Sequence, residues 1–365
     1  MNAARIAAIR CFAVRLPFDH GAPAPRFAGT PRTTLDSVWM RVELDDGLAG
    51  WGEAYAPDPE ALASLVRSRV APLALGQDPL DEQLCERLER VLHNAGRSGP
   101  VLHALSGLDI ALWDLRGKRA GLPVSELLGG RRREQVSAYA SLLQYYGDVG
   151  PLERQLHAAL EAGFTQVKLH ERDAASVEAT RRAIGVGVPM MVDTNCAWLP
   201  AEAEAPVRAM KAFSPLWIEE PLWPPEDLAS LGALGRATGV PMAAGENAAS
   251  LHELLQMAHG GSADWLQPSA IKCGGLSALR RVAAECAAHG RVRLSPQTAF
   301  FGPGFLATLH LMATLPEPTA IERLFCGLAT VPYAQAVPLE QGTFTLPRGS
   351  GLGAEPDASL LNAPL

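Results

Sequence analysis

The sequence predicts an α/β protein in which a closed (β/α) barrel of eight strands follows a smaller α+β unit. Three observations predict it. From Ser137 onward, short apolar strands alternate with helical segments at intervals of about 25 residues, the rhythm of a closed barrel. Residues 1–130 instead run strands first and helices afterwards, the order of an α+β unit. Three consecutive barrel strands end in acids, at the strand ends where barrel enzymes gather their chemistry.

In the first unit, Ile6 to Val14 and Ser37 to Leu44 read as strands. The Pro- and Gly-rich stretch Phe18 to Arg32 between them reads as a mobile loop. Asp45-Asp46-Gly47 is a turn leading into a third strand at Ala49–Glu53. Asp81 to His93 and Val101 to Arg119 carry helical periodicity. The barrel strands are expected at Ser137–Leu142, Gln166–His170, Met190–Asn195, Leu216–Glu220, Met242–Asn247, Trp265–Ser269, Val292–Ser295 and Thr319–Arg323. Helices fall between them, among them Leu152–Ala162, Ala175–Ala183, Ala201–Ala212 and Leu276–Ala288. An open doubly wound sheet is the competitor, but no GxGxxG follows the first strand. After Arg323 the chain turns irregular, and Gly342–Pro347 is expected to return to the N-terminal unit as one more strand.

Composition narrows the function classes. With 48% apolar residues in 365, the chain can bury enough surface to fold, which excludes disorder. A net charge of −7 disfavours nucleic acid and anionic membrane as partners. No apolar run approaches the length of a membrane span. The N-terminus carries a charge within its apolar stretch and reads as a strand, not a signal peptide. Six scattered cysteines without a CxxC pair fit reduced thiols in a cytoplasm.

Strand three ends at Asp193, strand four at Glu219-Glu220 and strand five at Glu246, so the acids are spaced by 26 and 27 residues. On neighbouring strands they converge. Two carboxylates about 4 Å apart repel by about 4 kcal/mol at an effective dielectric near 20. Three converging acids therefore need protons or a cation, and a hard divalent ion such as Mg²⁺ suits oxygen ligands with room left for substrate. The plainer alternative makes Asp193 and Glu246 helix N-caps or surface acids after each strand.

The segments VDTN, WIEEP and GEN, followed by QPSAIKCGG, resemble the mandelate racemase and muconate lactonizing branch of the enolase superfamily. GWGEA (Gly50–Ala54) and LDIALWDLRGKRAGLPVSELLGG (Leu108–Gly130) resemble that family's capping domain. The resemblance implies a (β/α)7β TIM-like barrel over residues 131–324. It also implies an α+β capping domain over residues 1–130, completed by residues 325–365. Asp193, Glu219 and Glu246 would be Mg²⁺ ligands, with Asn195 and Glu220 in supporting positions. The metal would stabilise the doubly charged species formed when a carboxylate loses its α-proton, and a nearby base would take that proton.

Strand two reads Gln166-Val-Lys168-Leu-His170, and alternation turns Lys168 and His170 into the barrel. The resemblance places this pair at the family's Lys-x-Lys motif, whose second lysine usually serves as base; here that position is His170. A histidine near its ordinary pKa is a good general base at neutral pH. Alternatively, His170 hydrogen-bonds the metal ligands. Lys168 would hold the substrate carboxylate or tune His170, and also pair with Asp193.

The opposite wall departs from the family. The racemase-like branch has an Asp and the lactonizing branch a Lys where Ser269 stands, and the strand-seven position usually held by His is Gln297. Neither Ser269 nor Gln297 delivers a proton near neutrality; they would orient substrate hydroxyls. Lys272, in the following turn, reads as a loop residue or a distal substrate contact. Glu322, ending strand eight, would either donate a hydrogen bond to the substrate carboxylate when protonated or pair with Arg323 or another cation. His20 and Arg26 would suit a polar or diacid substrate, or belong to an ordinary solvated loop.

One-sided machinery suits syn dehydration or ring opening of a hydroxy or sugar acid or its lactone. The alternatives are a racemase or epimerase drawing a second base from Tyr139, Tyr145 or Tyr146, and a metal-binding relative without turnover. The expected partner is a small carboxylate substrate, and the expected assembly a homo-oligomer.

Overall fold

The computed structural model describes residues 4–27, 29–361 and 363–365. Its N-terminal part is an antiparallel sheet of Ile6–Asp19, Thr34–Leu44 and Ala49–Tyr55, with Gly327–Leu328 added at the outer edge. Both faces of this sheet are covered, so the middle strand Thr34–Leu44 is mostly buried, with Ser37, Val38, Trp39 and Met40 buried in succession. Val38, Met40 and Val42 face the helix Pro100–Ala120. Phe12, Trp39 and Trp51 turn the other way and pack with Leu143, Phe301 and Leu324 of the barrel. The sheet is thereby seated on the barrel mouth.

The helix Pro100–Ala120 begins with proline in its first turn and stops at Gly121, whose φ of 67° is the left-handed cap that glycine favours. It lies so close to the third strand that a Cβ on Gly52 would stand 1.9 Å from the Gly107 carbonyl oxygen. That approach is the physical reason for the second glycine of GWGEA.

Barrel strands follow at Gln135–Ser141, Val167–Leu169, Met190–Asp193, Ile218–Glu219, Met242–Ala244, Trp265–Leu266, Arg293–Leu294 and Ile321–Leu324. The first seven pair in parallel in that order, and the eighth pairs in parallel with the first through Glu322 and Tyr139. Thr298 ties the seventh-strand loop to the eighth strand: its N–H donates to the Glu322 carboxylate (3.0 Å) and its hydroxyl to the Glu322 carbonyl (2.6 Å). The intervening helices are Val149–Glu161, Ala174–Ile184, Glu204–Lys211, Leu228–Thr238, Leu251–Gly260, Gly275–His289 and Pro303–Met312. The sequence rhythm thus corresponds to a (β/α)7β barrel.

Strand alternation sorts the side chains into layers. Met190, Val192, Ile218 and Met242 point outward to the helices. Tyr139, Met191, Trp217 and Ala243 fill the interior. Two residues further along, the inward positions become Asp193 and Glu219, and these two are register partners. The polar layer therefore sits on an apolar floor.

Two expectations are corrected. The segment Phe18–Arg32 is not one irregular loop. The first strand runs on to Asp19, with Pro17 paired to Thr34, and Arg26–Phe27 pairs with Thr30–Pro31 as a small hairpin. Buried Leu16 opposite buried Leu35 gives the extension its apolar anchor. The late strand Thr343–Thr345 does not return to the N-terminal sheet; it pairs antiparallel with Gln135–Ser137, at the base of the first barrel strand. Gly327–Leu328 makes the return instead, against Phe18 and Asp19. No described helix is long and apolar enough to cross a membrane, and all six cysteines are free.

Candidate active site

At the C-terminal ends of the strands a cleft of about 660 Å³ opens beneath the N-terminal sheet. Its wall includes Lys168, His170, Asn195, Glu246, Lys272, Gln297 and Glu322 from the barrel. Arg26, Arg32, Glu53 and Tyr55 line it from the N-terminal part.

Asp193, Glu219 and Glu246 each offer an oxygen within 4.8 Å of the other two. None of them is a helix cap: the helices that follow Asp193 and Glu246 start at Glu204 and Leu251, the latter capped by Ser250. Neighbouring strands do spend acids on caps, at Asp173 and Asp227, so the distinction is real at each position. Oxygens on a single Mg²⁺ lie at most about 4.2 Å apart, given bonds of 2.0–2.1 Å. Small side-chain movements bring the three within one coordination sphere.

The charge balance points the same way. Asp193 and Glu219 are buried, as are Glu220 and Glu322, and the buried lysine among them is Lys168. Its ammonium lies 2.8 Å from Glu322, 3.0 Å from Glu219 and 3.5 Å from Asp193. Burial acts to lower its pKa, but Glu219 and Glu322 outweigh burial and hold it well above the ordinary lysine range. One ammonium does not satisfy the cluster. Burial, and then the Asp193 charge, push the Glu219 carboxyl well above the usual carboxylate range. Burial and Glu246 raise Glu220 to about 7. A set of hard oxygen donors short of positive charge fits Mg²⁺.

Neighbours hold the donors in place. Gln267 donates to Glu219 at 2.7 Å, and the Trp217 indole donates to it at 3.3 Å. The Asn195 N–H donates to Asp193 at 2.9 Å, from a backbone with φ of 47°. Glu220 accepts from the N–H groups of Gly245 and Asn247 at 3.2 Å and from the Asn247 side chain, which fixes the turn that carries Glu246. Sequence reasoning misses Gln267 and Asn247, although both sit inside the motifs that it singles out.

His170 is engaged at both ring nitrogens: Nδ1 lies 2.5 Å from the Leu142 carbonyl oxygen, and Nε2 lies 3.2 Å from Asp193. A carbonyl only accepts, so Nδ1 carries a hydrogen and Nε2 is the atom that gains or loses a proton. Burial acts to lower the imidazole pKa, but Asp193 outweighs it and the net shift is upward.

Other expectations change. For Glu322 the ion-pair reading holds and the proton-donor reading does not: it pairs with Lys168, which outweighs the effect of burial and holds its carboxyl below the usual range. It does not pair with Arg323, which turns outward to lie 3.9 Å from the centre of the Phe301 ring. Lys168 does pair with Asp193, as expected, and lies closer still to Glu322 and Glu219. Lys272 is not distal: its ammonium stands 4.0 Å from Glu246 and 4.7 Å over the Tyr55 ring. Gln297 lines the cleft, whereas Ser269 is fully buried outside the lining. His20 is buried against Tyr145 and does not line the cleft. Arg26 does, with its guanidinium donating to the Gly29 carbonyl. Tyr139 is wholly buried, and Tyr145 and Tyr146 are spent on His20 and Arg26; none of the three lines the cleft.

Comparison with known proteins agrees with this geometry. Residues 18–129 match the mandelate racemase / muconate lactonizing enzyme N-terminal domain, and residues 151–360 match the enolase C-terminal domain-like family. The chain is 34% identical over 340 residues to D-galactarolactone cycloisomerase of Agrobacterium fabrum, covering 87% of this chain and 88% of that one. It is 31% identical over 328 residues to 3,6-anhydro-alpha-L-galactonate cycloisomerase of Streptomyces coelicolor, with the same coverages of 87% and 88%. Among solved structures it is similar to a racemase from Streptomyces coelicolor A3(2) with bound magnesium, at a TM-score of 0.85 and 27% identity over 98% of each chain. The chain belongs to the mandelate racemase / muconate lactonizing enzyme family, and is an enzyme of the enolase superfamily.

Proposed function

We propose that the protein removes the α-proton of a sugar acid or its lactone and expels the β-oxygen by syn elimination, as a cycloisomerase or dehydratase. The observation that carries this reading is the placement of His170. Its proton-exchanging Nε2 borders both the cleft and the carboxylate cluster, while Gln297 across the cleft has no titratable group. The cycloisomerase relatives support the ring-opening form.

Mg²⁺ held by Asp193, Glu219 and Glu246 would stabilise the negative charge that develops on the substrate carboxylate as the α-proton leaves. His170 Nε2 takes that proton. The C–O bond at the β-carbon breaks, and His170 returns the proton to the departing oxygen on the same face. For a 2-hydroxy acid the enol so formed becomes a 2-keto acid. Lys168, fixed by Glu219 and Glu322, keeps positive charge beside the reacting carboxylate. Arg26 and Arg32 on the N-terminal wall suit a second anionic group. The reading includes a cytoplasmic location, supported by the free thiols, and a homo-oligomeric assembly, the common state of soluble enzymes.

Lys272 favours a second reading. It gives the opposite wall a proton-bearing group beside Glu246, which a racemase or epimerase would use. A panel of sugar acids, anhydro sugar acids and lactones incubated with Mg²⁺ separates the two. Formation of a 2-keto acid with one-faced stereochemistry supports elimination. Inversion of an α-centre without keto product overturns it.

A further inference from the structure

Among the described residues a second cluster with metal-ligand chemistry lies outside the cleft lining: His259, Glu285 and His289. His259 closes the helix after barrel strand five, and Glu285 and His289 occupy one face of the helix after strand six, four residues apart. The C-terminal ends of barrel helices lead back to the N-terminal ends of the strands, so the cluster marks the rim opposite the carboxylate site.

We propose that these three side chains form a binding site for a borderline divalent transition ion, Zn²⁺ or Cu²⁺, separate from the Mg²⁺ site. The geometry carries it. His259 Nε2 lies 3.0 Å from Glu285 Oε2, and His289 Nε2 lies 3.4 Å from the same oxygen. A tetrahedral Zn²⁺ with bonds of 2.0–2.1 Å has ligand–ligand edges of about 3.3 Å. The two measured edges already match. The third is within 4.8 Å and closes by a small ring rotation, since the imidazole centroids stand 4.8 Å apart. All three side chains are about half exposed, so an ion can enter and keep one position open to water.

The ligand set also selects the ion. Two imidazoles and one carboxylate suit Zn²⁺ or Cu²⁺, whereas Mg²⁺ prefers all-oxygen surroundings. Both histidines stand in the last turns of their helices, where the unpaired carbonyls favour positive charge. One ion would tie together two neighbouring helices, reinforcing the His259–Glu285 contact that already bridges them. It would thereby clamp the base of the barrel beneath strands five and six.

The test uses the full-length protein with excess Mg²⁺ to occupy the carboxylate cluster. Cu²⁺ is titrated and followed by electron paramagnetic resonance; Zn²⁺ is titrated by calorimetry. One equivalent of Cu²⁺ with hyperfine splitting from two imidazole nitrogens is expected. His259→Gln and His289→Gln should each weaken binding by at least about tenfold. Mg²⁺-supported turnover should be unchanged in both variants. A copper signal from oxygen ligands alone, or Zn²⁺ binding that survives both substitutions, overturns the proposal. So does an absence of binding at millimolar ion.

Discussion

His170 Nε2 stands 3.2 Å from Asp193 Oδ2 while its Nδ1 is held by the Leu142 carbonyl, so one ring nitrogen is fixed and the other faces the acid cluster. This arrangement leaves Nε2 to exchange a proton and keeps the ring from turning away. If His170 is the base, His170→Asn should retain Mg²⁺ binding yet lose exchange of the substrate α-proton with deuterated solvent, a loss of about 10²–10⁴ in rate. Proton NMR of substrate in D₂O reads it directly. Undiminished exchange would transfer the role to Lys168 or Lys272.

Asp193, Glu219 and Glu246 should stand or fall together. Replacing any one by Ala should weaken Mg²⁺ binding in calorimetry and abolish turnover, with circular dichroism unchanged because the floor of Met191, Trp217 and Ala243 is untouched. Chelation should inactivate the wild type, and added Mg²⁺ should restore it. A Glu246→Ala variant with wild-type Mg²⁺ affinity would remove Glu246 from the ligand set.

The barrel is legible because its strands are short, apolar and evenly spaced, and the acid triad because each member ends a strand at similar intervals. Inward alternation brings Lys168 and His170 into the cleft for the same reason. What pairs with what is harder to read. Sequence alone offers Glu322 the substrate, Arg323 or another cation; alternation on one strand sends Glu322 and Arg323 to opposite faces, and Lys168 reaches past the first strand to be the cation that Glu322 meets. Gln267 escapes notice because a neutral amide gives no charge signal, although it holds Glu219. His20 is misplaced because the prolines and glycines of Phe18–Arg32 signal a loop, whereas the strand continues to Asp19 and buries the ring beside it.

Lys272 tests whether chemistry runs on one face. Under syn elimination, Lys272→Met should cost less than about 10² in kcat/KM, below the usual contribution of a general acid or base. Solvent exchange at the α-carbon should persist. Loss of exchange or of stereochemical inversion in that variant would assign a proton to Lys272 and favour the racemase reading.

Glu53 makes stability pH-dependent away from the carboxylate triad. It is buried, and it accepts from the Gly304 N–H at 3.0 Å and the Trp39 indole at 3.3 Å. Burial pushes its pKa up to about 7, even though these hydrogen bonds pull downward. Below the ordinary carboxylate pKa, Glu53 is protonated in both folded and unfolded chains and has no effect. As pH rises toward 7 the unfolded chain ionises freely while the fold must hold the proton, so stability falls across that window and then levels off. The fall is about 1.4 kcal/mol for each pH step of one across the window, on the order of 3 kcal/mol in all. Glu53→Gln cannot ionise, so its melting temperature should fall less between pH 5 and pH 8 than that of the wild type, by several degrees. Its absolute stability is a weaker readout, because the amide offers only one acceptor to donors that now share two. Parallel melting curves against pH for the two proteins would show that Glu53 titrates alike in both states.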